Sequence, residues 1–267
     1  MKTAKRPTHS LALRILVMLL LIPILASCSY SEGARETTEQ QGKPTDAKPT
    51  KRVAITFDDG PQCRDAEYGP NTKSIVDELN KYGFHATFFV VGKRIEKGND
   101  TLSYIVQSGS EIGIHGYSHS SDRYYDSCSD AEYAEEINQT RDAIHYALPN
   151  YNIRTMRPVG GFISDERIAQ SPYSVIKWDV DSLDYQNTYR SGDSDEVCSQ
   201  KVNTIVNNVM SQVQDGSIIL LHDIYQSTYD ATVILLQRLK EEGYAVVSVS
   251  ELLGSSMQPG QLYYSAS

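Results

Sequence analysis

The sequence predicts a single-domain α/β protein built as a (β/α) barrel or partial barrel with mostly parallel strands. Three observations point there. Strand-like apolar runs alternate with helix-like segments through most of the chain, and that order implies parallel strands joined by helical crossovers. The strand-like runs are continuously apolar, as burial on both faces requires. The 267 residues suit one domain of about 200 residues with an appended segment. So many crossovers favour a barrel or partial barrel over an open doubly wound sheet.

The first strand is predicted at residues 52–57, a β-branched and aromatic run. Over 71–82 the spacing of Ile75, Val76 and Leu79 is helical, and Gly83 closes the segment. Residues 85–91 read as a second strand, 102–107 as a short helix stopped by Gly109, and 111–114 as a third strand. A long polar helix over 131–148 turns Ile137, Ile144 and Leu148 inward. Further strands are predicted at 173–180, 217–221 and 245–249, separated by helices near 197–213 and 232–242.

Hydrophobic content of 40% and charged content of 22% are ordinary for a globular protein, and the formal net charge is -9. No basic stripe is available to neutralise phosphates, which argues against nucleic acid as a partner.

The amino end is an address. Lys2, Lys5, Arg6 and Arg14 precede an apolar run over 15–25 that is too short for a bilayer core of about 30 Å and suits a secretory signal. Pro23 also opposes a stable membrane helix. The run closes on Leu25-Ala26-Ser27-Cys28, which resembles the lipobox of bacterial lipoproteins. The competing readings are an ordinary cleaved signal and an uncleaved anchor. The lipoprotein reading gives a signal peptide over 1–27, lipidation at Cys28, a flexible Glu/Gln/Thr/Lys/Pro-rich tether over 28–51, a folded domain over 52–254 and a tail over 255–267. Cleavage before Cys28 removes four basic residues and no acidic one, taking the charge from -9 to -13. So acidic a chain does not adhere to anionic lipid by charge, and the only membrane link expected is the lipid itself. Cys63, Cys128 and Cys198 leave an odd thiol, with no paired spacing that suggests zinc or redox chemistry.

Functional side chains of such folds gather at the carboxyl ends of strands. The first strand ends in Asp58-Asp59-Gly60-Pro61. Two adjacent carboxylates at a buried strand end repel each other and call for a cation or a shared proton, unless they merely form an Asp-Gly-Pro turn. The third strand runs into His115-Gly116-Tyr117-Ser118-His119. Two imidazoles four apart, joined by one carboxylate, make an open metal site, although two solvent-facing histidines are the plainer alternative. The run over 217–221 ends at His222, which is poorly diagnostic alone and gains weight from lying in the same layer.

Together these segments resemble the polysaccharide deacetylases, the NodB homology domain of carbohydrate esterase family four, over residues 52–254. The motifs fall in order: Thr56-Phe57-Asp58-Asp59-Gly60-Pro61, the strand from His85 to Gly92, His115 to His119, Arg157 to Gly161, Asp184-Tyr185, and Leu220-Leu221-His222. The resemblance implies an irregular (β/α) barrel that hydrolyses acetamido groups with one divalent metal ion. Zn2+ suits the donors, and Co2+, Ni2+ or Mn2+ also fit such a site. Asp59, His115 and His119 would hold the ion, Asp58 would be the general base and His222 the general acid. Arg157 would tether Asp58, and Asp184 would orient and charge-tune His222. Gly160 would offer an oxyanion amide, and Tyr185 and Leu220 would wall a pocket for the acetyl methyl. The expected substrate is an acetylated polysaccharide, with peptidoglycan N-acetylglucosamine foremost. The expected protein is a monomer, extracytoplasmic and lipid-anchored to a bacterial membrane. Alternatives are an O-acetyl esterase on xylan or another acetylated polymer, and a non-catalytic glycan-binding lipoprotein; intact Asp58 and His222 speak against the last.

Three departures from the family pattern stand out. Gly116 replaces the usual Thr or Ser and removes a loop-stabilising hydrogen bond. Arg157-Pro158-Val159-Gly160-Gly161 lacks the usual third-place Pro and fourth-place aromatic. Tyr185 stands where Trp is commoner.

Overall fold

β1 (Lys51–Asp58) is the hub of the sheet in this computed structural model, which describes residues 51–62, 72–95 and 100–266. Val53, Ile55 and Phe57 alternate with Ala54, Thr56 and Asp58, and both sets are buried. A strand without a solvent face is what the continuous apolar run implies. One edge of β1 pairs with β7 (Ile218–His222). The other edge is shared: Lys51–Ala54 pairs with β8 (Tyr244–Val247), and Thr56–Asp58 with β2 (Thr87–Val90). From β2 the sheet continues through β3 (Glu111–Ile114), β4 (Thr155–Met156), β5 (Ser174–Ile176) and β9 (Leu262–Tyr263), while β6 (Val180–Asp181) lies beyond β7. All these pairings are parallel.

The predicted strand over 173–180 is in fact two. Its first part, β5, and its last part, β6, lie towards opposite ends of the sheet. Only residues 177–179 separate them, a span of at most about 14 Å when extended. The sheet therefore curls until its ends nearly meet, giving the barrel-like form of a curled, parallel (β/α) fold. The two-residue strands β4 and β9 carry too little pattern to be read from sequence. β9 also extends the sheet beyond residue 254.

The helices α1 (Thr72–Tyr82), α2 (Thr101–Gln107), α3 (Asp130–Ala147) and α5 (Asp195–Met210) agree with their predicted segments to within a few residues. Ser129 starts α3 with a capping box to Glu132, and Ser194 caps α5, which fixes where each begins. The short α4 (Asp165–Gln170), capped by Ser164, has no apolar period long enough to announce it. α6 (Gln226–Glu241) begins six residues before its predicted start. Its first turns are polar, yet Ser227, Thr228 and Thr232 are buried. The predicted strand over 245–249 stops at Val247, because Ser248 caps α7 (Val249–Leu253) through a second capping box with Glu251.

The outward set from β1 joins Ile75, Leu79, Phe88, Ile112, Leu235 and Leu236 in the main core between sheet and helices. Each such side chain contributes about 1.5–3 kcal/mol on burial. Inside the curl, Ala54, Phe89, Ile176 and Ile218 pack against Val249, Leu252 and Leu253 of α7. Val249 N donates to Thr87 Oγ1, and Ser250 N to the Glu111 carboxylate, so α7 closes the amino ends of the strands. The carboxyl ends are left for chemistry. Cys128 and Cys198 are free thiols. Cys63 and the predicted lipidation site Cys28 lie outside the described residues, as do the predicted signal and nearly all of the tether.

Candidate active site

Every sequence-predicted site residue among the described residues stands at the carboxyl ends of the strands or in the segments leaving them. Asp58 closes β1, His222 closes β7, and the register makes them direct neighbours, with Thr56 beside Leu220 two residues earlier. Asp59 follows with a left-handed backbone (φ 75°), as does His119 (φ 53°) in the loop after β3. With Leu183 (φ 55°) these are the non-glycine residues of positive φ among the described residues. Such conformations cost about 1–3 kcal/mol each and concentrate at functional sites. Two belong to the candidate ligand set, and the third precedes Asp184.

One ligand atom from each of Asp59, His115 and His119 lies within 4.8 Å of the others. Asp59 Oδ1 is 2.7 Å from His119 Nε2 and 3.4 Å from His115 Nε2. Yet this buried oxygen has no hydrogen-bond partner of adequate geometry. His115 Nδ1 lies 2.9 Å from the Arg157 carbonyl. A carbonyl only accepts, so Nδ1 carries a proton in either charge state and Nε2 is the atom turned toward Asp59. An orphaned carboxylate oxygen facing two imidazoles is a donor set that fits a divalent cation. The charges agree. Burial favours a neutral Asp59 carboxyl, but the two imidazoles outweigh it and hold the group well below the usual carboxylate range. Burial also opposes a charge on His115, yet the Asp58 and Asp59 carboxylates push it up.

Asp58 is held apart from this set. Its Oδ1 accepts from Arg157 Nη1 at 2.8 Å, leaving Oδ2 at 3.6 Å from His115 Nε2. Arg157 is fully buried. It also donates to Thr56 Oγ1 and to the carbonyls of Ile176 and Lys177, and packs on the Phe89 ring. Across the cleft, His222 Nδ1 meets Asp184 Oδ1 at 2.8 Å. Asp184 Oδ2 accepts from His222 N and from Thr228 Oγ1, each at 2.7 Å. Burial disfavours the His222 cation, but the Asp184 carboxylate overcomes it and raises the imidazole to about 9.

Asp58, Asp59, His115, His119 and His222 line a cavity of about 250 Å³ whose wall includes Gly160, Tyr185 and Leu220, while Arg157 and Asp184 are buried behind it. Gly160 has φ 62°, and a Cβ there would approach Phe162 to 2.8 Å, which accounts for glycine at this turn. Tyr124, Trp178 and Asp181 also line the cavity and escaped sequence reasoning. The only signals were a lone Trp and an Asp close before Asp184. Asp223 was also missed. It lies directly behind His222, accepts from Thr72 Oγ1, and is pushed up to about 7 chiefly by burial.

Known proteins resemble this chain along most of its length. The family model for polysaccharide deacetylase matches residues 45–172. Peptidoglycan-N-acetylmuramic acid deacetylase PdaC of Bacillus subtilis is 37% identical over 202 residues, 76% of this chain and 38% of PdaC. A peptidoglycan-N-acetylglucosamine deacetylase of Bacillus cereus is 31% identical over 211 residues, 76% of this chain and 88% of the relative. The chain thus spans well under half of PdaC and nearly all of the second protein. Among solved structures, a T48 deacetylase with substrate superposes with TM-score 0.67 at 32% identity, covering 80% of this chain and 96% of that one. A family 4 acetyl xylan esterase from Clostridium thermocellum in complex with a cobalt ion gives TM-score 0.66 at 28% identity, covering 80% and 98%.

Proposed function

The chain belongs to the polysaccharide deacetylase family, and from that premise we propose that it removes N-acetyl groups from an N-acetylglucosamine-type glycan of the cell envelope, peptidoglycan foremost. The observation that carries this reading is a free carboxylate, Asp58, beside an Asp59/His115/His119 donor set, with a charged His222–Asp184 pair opposite.

Asp59, His115 and His119 would hold a divalent ion, which when bound would supply Lewis acidity toward water and the acetyl carbonyl. Asp58 takes a proton from the attacking water through Oδ2, since Arg157 occupies Oδ1 and holds the carboxylate in place. Gly160, on the cavity wall, would offer its backbone N–H to the developing oxyanion. His222 gives its Nε2 proton to the departing sugar nitrogen, because Nδ1 is engaged by Asp184. The C–N bond breaks to leave acetate and a free amine. Leu220 and Tyr185 wall the space taken by the acetyl methyl. Zinc suits these donors, and the family 4 acetyl xylan esterase of similar fold is in complex with a cobalt ion.

The test is acetate release from peptidoglycan, N-acetylated chitooligosaccharides and acetylated xylan, with and without chelator. Release from the first two that stops on chelation and returns with Zn2+ is the expected result. Release from xylan alone selects the O-acetyl esterase reading, and no release from any substrate by Zn2+-loaded protein sinks both.

The pH profile carries a second prediction. Because the His222 pKa is raised, the proton donor is present at neutral pH and is lost as pH climbs through about 9. Asp184→Asn removes the carboxylate that raises it, so the alkaline limb of kcat moves to lower pH by about 1–3 units. An unmoved limb would discard His222 as the acid.

We also place the protein outside the cytoplasm on a lipid attached to Cys28. Among the described residues no helix is long and apolar enough to cross a membrane. Cys28→Ser should shift the protein from the membrane fraction to the soluble one. Unchanged membrane association would refute the lipid anchor.

A further inference from the structure

We propose that Glu136, which belongs to none of the sequence motifs, positions the metal-binding loop and so sets the affinity of the site for a divalent cation. The proposal rests on the reading of Asp59, His115 and His119 as ligands.

His115 ends a strand, but His119 lies in the loop that follows, and loop-borne ligands stay in place only when their backbone is tied down. On one side the tie is plain. The carbonyls of Gly116 and Tyr117 accept from the amides of Gly92 and Lys93 at 2.9 and 3.1 Å, and the Ser118 carbonyl accepts from Lys93 Nζ. On the other side, the amides of Tyr117 and Ser118 both donate to a single oxygen, Glu136 Oε2, at 2.7 and 2.9 Å. Successive amides converging on one anion form a compact nest, and this one bends the chain between the two histidines.

Glu136 is an unusual residue for this role. It sits on a mostly polar helix, α3, yet is only 3% exposed. Glutamate is almost never so buried without partners, and its partners here are the loop amides. Gly116 completes the fit. Its φ is 76°, and a Cβ there would come within 2.9 Å of the Tyr125 hydroxyl and 3.2 Å of Glu136 Oε2. The carboxylate thus fills space that a side chain at 116 would need. The hydrogen bond lost with Gly116 is replaced from α3 rather than from within the loop. Gly92 is wedged between loop and helix: a Cβ there would lie 2.5 Å from the Tyr117 ring and 2.9 Å from Thr140 Cα.

The test separates reach from charge. Glu136→Gln keeps an acceptor at the same reach, Glu136→Asp keeps the charge but is one methylene short, and Glu136→Ala removes both. Zn2+ affinity of the full-length, metal-free protein is measured by calorimetry, and exchange of the Tyr117 and Ser118 amides is followed by NMR. Wild type and the Gln variant should bind Zn2+ within about threefold of each other, while the Asp and Ala variants bind about 10–100-fold more weakly and exchange both amides faster. Asp and Ala variants that bind like wild type overturn the proposal, and so does a Gln variant as weak as Ala. If Ala fails to fold, the Gln and Asp pair decides. If wild type itself binds no Zn2+, the ligand reading fails on its own account. Exchange then judges Glu136: unchanged amides at 117 and 118 in the Asp and Ala variants end the positioning claim.

Discussion

Asp58→Asn protein should fold, retain Zn2+ and release acetate about 10²–10⁴-fold more slowly than wild type, the range for loss of a general base. The reasoning is geometric. Asn keeps the shape of Asp58, and its carbonyl oxygen still accepts from Arg157 Nη1, so the buried arginine keeps its partner atom. What disappears is a basic oxygen at the Oδ2 position beside His115 Nε2. Because Asp58 stands outside the Asp59/His115/His119 set, zinc stoichiometry should not change. The paired measurement is kcat on N-acetylated chitooligosaccharides with zinc content of the purified protein. An Asn variant of near wild-type rate would remove Asp58 from the chemistry, and one that has lost its zinc would make it a ligand.

The largest effect on stability is expected from Arg157→Met. Methionine matches much of the arginine stem but supplies no donors. Asp58 then loses its ion-pair partner in a buried site, and Thr56, Ile176 and Lys177 lose the donor they share. Breaking a buried pair from one side costs about 3–5 kcal/mol, because a charge is left uncompensated. In a domain of this size that lowers Tm by roughly 6–20 °C. The mechanism predicts partial rescue. In Arg157→Met with Asp58→Asn the stranded charge is gone, so the double variant should be more stable than the sum of the single losses implies. Thermal unfolding of the four proteins settles it. Additive losses would mean that Arg157 stabilises through Thr56 and the Ile176 and Lys177 carbonyls rather than through Asp58.

Much of this site is legible in sequence because its groups sit in short contiguous runs. Asp58-Asp59, His115 to His119 and Leu220 to His222 each follow an apolar run, and the strand end itself announces them. The less legible part is relational. Asp58 meets Arg157 across 99 residues, and Asp184 meets His222 across 38. No local pattern shows those contacts, and only likeness to a family suggested them. Glu136 is hidden for a different reason. On a polar helix a glutamate reads as solvent-facing, and nothing nearby says that this one turns toward a loop 18 residues back. The fold shows the same division. Long apolar runs such as β1 and β7 were evident, whereas β4 and β9 are too short to carry a period. The 173–180 run was a correct reading of strand character, but its three-residue crossing between sheet ends depends on curvature, which only the assembled sheet possesses. The early turns of α6 were missed because buried Ser227, Thr228 and Thr232 mimic a polar surface.

The pairing of Asp58 with His222 along two adjacent parallel strands has an evolutionary consequence. Neighbouring strands are locked at about 4.8 Å by their hydrogen-bond ladder, so the proposed base and acid stand at a separation that surface loops neither set nor disturb. Segments bearing Tyr124, Phe162 and Tyr185 are free to diverge and reshape the groove for another ligand, while Asp58 and His222 stay in place. Such a molecule can change its diet without relearning its chemistry.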